Sequence, residues 1–252
     1  MTRPMRRLLA LLLVALGLVA SGCVGSEAKR AQELLVQAQA AEENLESATF
    51  ELELNATFDG QQVGMRMRGG GYMKGSRAGD MFVQANASGA LGGFDFGFVA
   101  RGDRAYMNMN GDWSEMPLPA SIKTKSSSQN LGSAAFLELA RYVKKIKVAP
   151  GGLVNGEPTT TISGTVDTAG LVKSLATLNG LSELAGDSAP DLSKFADDLG
   201  DTHAVIAISD RTHLVTGAVV DLSIEAEGKQ VDLQLVYRLS DVNRPVRFPQ
   251  AS

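Results

Sequence analysis

Histidine and cysteine are nearly absent from this chain: two histidines and one cysteine stand among 252 residues. With so few nitrogen and sulfur ligands a zinc set has nothing to draw on, and no H-E-x-x-H occurs. His203 and His213 fall near strand edges or turns, where a histidine is ordinarily a surface or capping residue. No G-x-S-x-G elbow supports a serine hydrolase. The run Gly69-Gly70-Gly71 has neither the Lys-Ser/Thr of a phosphate loop nor the Rossmann spacing, and reads as a bulge or bend in a strand. Aspartates and glutamates are scattered, with no pair assignable to one site. No catalytic residue, metal site or cofactor is expected, and the chain does not read as an enzyme.

Basic charge is short as well. The formal net charge is -4, and from Cys23 onward 21 basic residues face 28 acidic ones. A chain of that sign repels nucleic acid, whose binding needs clustered Lys and Arg to displace counterions. The rest of the composition, 44% hydrophobic and 21% charged, is that of a globular chain rather than a disordered one.

A long hydrophobic run is missing too, and the short one present is informative. Leu8 to Ala20 is briefer than the roughly 17–25 apolar residues of a membrane span. It follows the basic stretch Met1 to Arg7 and precedes the small residues Ala20-Ser21-Gly22, the order of a secretory signal. Arg6-Arg7 raises the twin-arginine route, but Leu8-Leu9-Ala10 does not strengthen it, and the general secretory route fits better. Ser21-Gly22-Cys23 resemble the bacterial lipobox, whose cysteine receives diacylglycerol; Ala20 departs mildly from its usual Leu. A buried or disulfide-bonded cysteine is the plainer alternative, yet a lone cysteine can form no intramolecular disulfide. Residues 1–22 are expected to be cleaved and 23–26 to form a lipidated terminus and short tether. Residues 27–252 are expected to fold as one domain, held by Cys23 on the extracytoplasmic face of the cell membrane. Two acyl chains make such attachment effectively stable.

The mature chain opens with a helical pattern over Glu27 to Ser47, with Ser26 as N-cap. Alternation follows: Phe50, Leu52, Leu54, Ala56 and Phe58 share one face, and Asp59-Gly60 turns into Val63, Met65 and Met67. Further strands are expected near Asp80 to Asn86, through Phe94, Phe96 and Phe98, and through Ala105, Met107 and Met109. Lys123 to Gln129 reads as a loop, and Ser133 to Lys145 as a helix followed by an Ala149-Pro150-Gly151-Gly152 turn. A Thr-rich strand spans Thr159 to Val166. A helix capped by Asp167-Thr168 carries Leu171, Val172, Leu175 and Leu178, and a shorter one carries Leu192, Phe195 and Leu199. Strands resume over Thr202 to Ser209, Leu214 to Ile224 and Val231 to Leu239. Sheet, helices and sheet again indicate an α+β domain with helices gathered on one face of an antiparallel sheet.

Two features invite binding rather than chemistry. All seven methionines of the mature chain lie between Met65 and Met116, interleaved with phenylalanines. Methionine adapts to irregular apolar surfaces, so these residues fill either an ordinary core or a cavity that holds acyl chains. Lys144-Lys145-Ile146-Lys147 is a small basic run, either a solvated helix end or a contact for anionic headgroups.

The mature chain resembles the LppX/LprAFG family of actinobacterial lipoproteins, similar in fold to the lipoprotein carrier LolA. The matching segments run in order: Glu46-Ser47-Ala48-Thr49-Phe50, Arg101-Gly102-Asp103-Arg104-Ala105-Tyr106, and Asp112-Trp113-Ser114. Then come Thr161-Ile162-Ser163-Gly164-Thr165-Val166, Ile208-Ser209-Asp210-Arg211-Thr212-His213-Leu214, and Arg244-Pro245-Val246-Arg247-Phe248-Pro249. The resemblance implies a curved antiparallel half-barrel with helices on its concave face and an apolar cavity between them. It implies an acylated lipid or glycolipid as ligand, carried or presented across the cell envelope, with a membrane transporter as a further partner. Met65, Met67, Phe94, Phe96, Phe98, Leu171, Leu175, Leu178 and Leu222 are the candidates for the cavity wall. An envelope sensor or protein-interaction module of the same fold, without lipid transport, is the other reading.

Overall fold

The computed structural model describes residues 26–58, 60–89, 93–117, 137, 139–140, 142–167, 202–226 and 229–250. One helix and eleven strands are formed by them. Helix α1 spans Ser26–Glu42; the strands are β1 Ser47–Phe58, β2 Gln61–Tyr72, β3 Met81–Gly89, β4 Phe94–Arg101, β5 Arg104–Met109 and β6 Asp112–Pro117. They continue with β7 Val143–Val154, β8 Glu157–Val166, β9 Thr202–Ser209, β10 Val215–Ala226 and β11 Lys229–Ser240.

All eleven strands join one antiparallel sheet in the order β6-β5-β4-β3-β2-β1-β11-β10-β9-β8-β7. Two meanders are thus sewn together where β1 pairs β11, from Thr49 opposite Ser240 to Phe58 opposite Val231. β6 and β7 are the free edges. An open sheet of this width curls rather than lying flat, and the fold is an open half-barrel.

The alanine- and glutamine-rich segment after Ser26 makes a helix because it is rich in strong helix formers. Ala31 and Ala38, two turns apart, are fully buried, and their small side chains let α1 lie close to the sheet. Its 17 residues extend about 26 Å, close to the roughly 24 Å of the five strand spacings from β7 to β1. The helix starts at the β7 edge, where Glu27 Oε2 accepts a hydrogen bond from the Val148 backbone N–H at 2.8 Å. It ends beside β1: Asn44 Nδ2 caps the Ala40 carbonyl, and Leu45 is buried just before the strand begins. The helix is therefore shorter than the expected Glu27 to Ser47, because Ser47 and Ala48 already pair with β2.

Three expectations are corrected. Val143–Val154 is a strand, so the helix expected over Ser133 to Lys145 does not reach Lys145, and the basic run is no helix end. Two register shifts interrupt its pairing with β8, between Lys144 and Lys147 and between Pro150 and Leu153. The first shift puts both Val143 and Val148 into the core, a five-residue interval that hides the period-2 signal. The second absorbs Ala149-Pro150-Gly151-Gly152 into the edge strand instead of a turn. Gly69-Gly70-Gly71 is neither bulge nor bend: it pairs without a shift to both β1 and β3. The helices expected after Asp167 and near Leu192, and the loop over Lys123 to Gln129, lie outside the described residues.

The main core comprises Ala31, Ala38 and Leu45, Leu139 and Ala140, and apolar side chains of β7 to β11, with Phe50 and Leu52 partly buried against them. A smaller cluster forms on the opposite face, where Val246 and Phe248 of the C-terminal segment pack on Phe82, Val99, Tyr72, Tyr106 and Trp113.

Candidate functional site

Pairing registers sort every strand residue to one face or the other, because directly opposed residues point the same way. From Phe50, Leu52, Leu54 and Ala56 the register leads to Leu239, Tyr237, Leu235 and Leu233 on β11, then to Ala218, Val220 and Leu222 on β10. Ile206, Ala204 and Ile162 extend that face through β9 and β8. In the other direction it passes through Met67, Met65 and Val63 on β2, and Val83, Ala85 and Ala87 on β3. Phe98, Phe96 and Phe94 on β4 follow, and then Met107 and Met109 on β5. One apolar face crosses nearly the whole sheet. The reverse face carries Glu51, Glu53, Asn55, Arg66, Arg68, Gln84, Asn86 and Arg238, with ion pairs from Glu53 to Arg66 at 2.8 Å and to Arg238 at 3.5 Å.

The two halves of the apolar face differ in cover. Over β7 to β1, α1 and its neighbours bury Ile162, Ala204, Ile206, Ala218, Val220, Tyr237 and Leu239, while Leu52, Leu54, Leu222, Leu233 and Leu235 are half-buried. Over β2 to β5 the side chains are only partly buried: Val63, Met65, Met67, Val83, Ala85, Phe96, Phe98 and Met107 are intermediate. Phe94 is 41% and Met109 46% exposed. Phe94 and Phe96 stack at 6.4 Å between centroids. Among the described residues, nothing comparable to α1 packs over this half.

Of the residues nominated from sequence, Met65, Met67, Phe94, Phe96, Phe98 and Leu222 share this one face. The first five lie on β2 and β4, on either side of β3; Leu222, half-buried on β10, belongs to the other half. Leu171, Leu175, Leu178 and Cys23 lie outside the described residues. Leu52, Leu54, Leu233 and Leu235 connect the two groups and were not nominated, although their alternation with polar residues signalled the face.

Among the described residues, no acid–base or metal constellation accompanies this surface. His203 is exposed on β9, on the polar face. His213 is exposed in the β9–β10 turn, with φ of 59°. No cluster of three or more His, Cys, Asp or Glu residues able to hold a metal occurs among the described residues. A depression of roughly 300 Å³ is lined by Glu53, Asn55, Gly64, Met65, Arg66, Asn86 and Ser88, and belongs to the polar face. The Arg104 guanidinium on β5 is held above its usual pKa, first by its hydrogen bond to Tyr106 and then by the Tyr106, Glu115 and Asp103 charges, so it is a permanent cation. No helix among the described residues is long and apolar enough to cross a membrane.

No protein-family profile and no curated protein matches the chain. Solved structures do. LprF from Mycobacterium bovis is 18% identical, with 90% of this chain and all of that chain covered at a TM-score of 0.48. The lipoprotein LppX from Mycobacterium tuberculosis is 16% identical, covering 88% of this chain and 99% of that one at a TM-score of 0.42. A chain of the Pseudomonas aeruginosa MucA/MucB complex is more distant, at 12% identity and a TM-score of 0.33, with 86% of this chain and 59% of that chain covered. The chain is thus similar, over 88–90% of its length but at low identity, to LprF and to the lipoprotein LppX.

Proposed function

We propose that this protein is a lipoprotein, anchored through Cys23 to the outer face of the cell membrane, that binds an acylated lipid or glycolipid and carries or presents it across the envelope. The observation that carries the reading is the apolar face of β2 to β5, lined by Met65, Met67, Phe94, Phe96 and Phe98 and left partly open among the described residues. Apolar surface of this kind calls for a partner, and flexible methionines suit acyl chains of varied shape. Burial of each methylene contributes roughly 0.8 kcal/mol, so one long chain supplies on the order of 10 kcal/mol before costs. Binding of this kind needs orientation and desolvation and no reacting group, in keeping with a face that presents no converging acid and base. Leu171, Leu175 and Leu178 are proposed to complete the wall, and a membrane transporter to hand over or receive the ligand.

The test is mass spectrometry of an organic extract from a Cys23→Ser form, purified from its own host without added detergent. A stoichiometric acylated lipid is expected. A lipid-free extract together with a stoichiometric protein partner would overturn the reading.

A further inference from the structure

The basic run Lys144-Lys145-Ile146-Lys147 sits somewhere its sequence did not disclose. It opens β7, a free edge of the sheet, and Glu27 in the first turn of α1 bonds to Val148 directly after it. The start of α1, with exposed Lys29 and Arg30, is thus pinned at the β7 edge, where Lys145 is exposed in the bulge and Lys144 and Lys147, opposite Thr165 and Ser163, are exposed on the reverse side of the same edge. Cys23 precedes Ser26 by three residues, a reach of at most about 10 Å.

From this juxtaposition we infer that the β7 edge and the first turn of α1 form the face that rests on the membrane, with Lys29, Arg30, Lys145 and Lys147 against anionic phospholipid headgroups. The inference rests on Cys23 being the anchor. Of the local acids, Glu27 accepts from the Val148 N–H and keeps its charge, and Asp167 pairs with Lys144 at 2.7 Å, so they offset part of the positive charge. Glu33, a turn further along α1, is the exposed acid left on that helix face. Among the described residues no ion pair engages Lys29, Arg30, Lys145 or Lys147. A local positive patch on a chain of net negative charge orients the molecule, because the rest of the surface is repelled by the same leaflet.

The bulge takes part in the geometry. Lys145 adopts φ of 52°, and Lys145 and Ile146 are the extra residues between the pairs Lys144–Thr165 and Lys147–Ser163. Gly164 stands opposite, where a Cβ would overlap the Lys144 carbonyl. The bulge bends the edge strand at its lysines. Lysines and bulges also guard an edge against strand pairing, but that role predicts no response to lipid charge.

The test is the partition of the unlipidated Cys23→Ser chain onto vesicles of phosphatidylcholine, with and without 30% phosphatidylglycerol. Binding is expected only with phosphatidylglycerol, and is lost at high salt. Each cation near an anionic surface contributes about five-fold, so Lys145→Gln with Lys147→Gln weakens partition about 25-fold. Lys74→Gln, in the β2–β3 turn, leaves it unchanged. Equal partition onto both vesicles, or equal loss from Lys74→Gln, overturns the proposal. The mass of the wild-type chain separately reports whether Cys23 carries diacylglycerol, so failure of the anchor and failure of the docking face are read apart. In the lipidated chain on anionic vesicles, Lys145 and Lys147 are also expected to react with an amine-acylating reagent several-fold more slowly than Lys74; equal rates count against the face.

Discussion

The ring of Phe50 on β1 lies over Gly69 on β2, so closely that a Cβ at Gly69 would overlap its Cζ. The two residues are directly opposed in register, and the aromatic ring occupies the space a side chain would fill. Gly70 and Gly71 are constrained in the same way: a Cβ at Gly70 would meet the Ala48 carbonyl at 2.8 Å, and one at Gly71 the Asp80 carbonyl at 2.5 Å. The run is a close-approach device. Gly69→Val is expected to cost about 1–3 kcal/mol by overpacking, read as a lower urea midpoint at unchanged m-value. In a Phe50→Ala background the same substitution should cost much less, and additive costs would sink the explanation.

Glu27 ties the helix to the sheet edge. Glu27→Ala leaves the Val148 N–H without its acceptor, and Val148 is only 8% exposed. A hydrogen bond to a charged group contributes about 1.5–3 kcal/mol, and a loss near the low end is expected because Glu27 itself is exposed. Glu27→Gln retains an oxygen acceptor and should lose less. Amide hydrogen exchange at Val148 is the direct readout: faster in the alanine variant, nearly unchanged in the glutamine variant.

The strands most legible in the sequence were those whose residues alternate between an apolar and a polar face. β1, the Phe94–Phe98 stretch of β4, and β10 with β11 are of this kind. β7 was illegible for a physical reason: its first bulge sets Val143 and Val148 on the same face five residues apart, an odd interval that breaks the period of two, while Val143 stands at helical spacing from Ala140 and Phe136 in the sequence. Its Pro150 is tolerated because an edge strand needs fewer ladder bonds. Nothing local could announce the pairing of β1 with β11, which joins residues nearly 200 positions apart. The methionines and phenylalanines on β2 and β4 were found because residue type and period agreed. The placement of the lysines beside α1 was missed because it depends on one long-range bond.

At the junction of α1 and β1, the C-terminal segment acts as a clamp. Asn243 Oδ1 accepts from the Glu46 N–H at 2.8 Å, and the Asn243 N–H donates to the Ser47 carbonyl, also at 2.8 Å. Asn243 does this with φ of 54°, in the left-handed region that asparagine and glycine tolerate best. Asn243→Ala should therefore lose the side-chain bond and gain backbone strain, about 2 kcal/mol together. Asn243→Gly loses the bond alone and should cost about half as much. Thermal melts that rank glycine below alanine would contradict this assignment.

Gln84 and Ala85 are neighbours on β3 and separate the two faces by one residue. Gln84 is exposed on the polar face, opposite Arg68 and Gly97; Ala85 is half-buried on the apolar face, opposite Met67 and Phe96. Placing an aspartate at each position adds the same charge and moves it from one side of the sheet to the other. Ala85→Asp brings a carboxylate against the methionines and phenylalanines, where an acyl chain could bury it only at a cost of several kcal/mol. Co-purified lipid is expected to fall at least ten-fold. Gln84→Asp faces Arg68 and solvent, and should keep its lipid in full. Circular dichroism of both variants checks that the sheet is intact. Equal lipid content in the two variants, with the sheet intact in both, would place the ligand somewhere other than the apolar face.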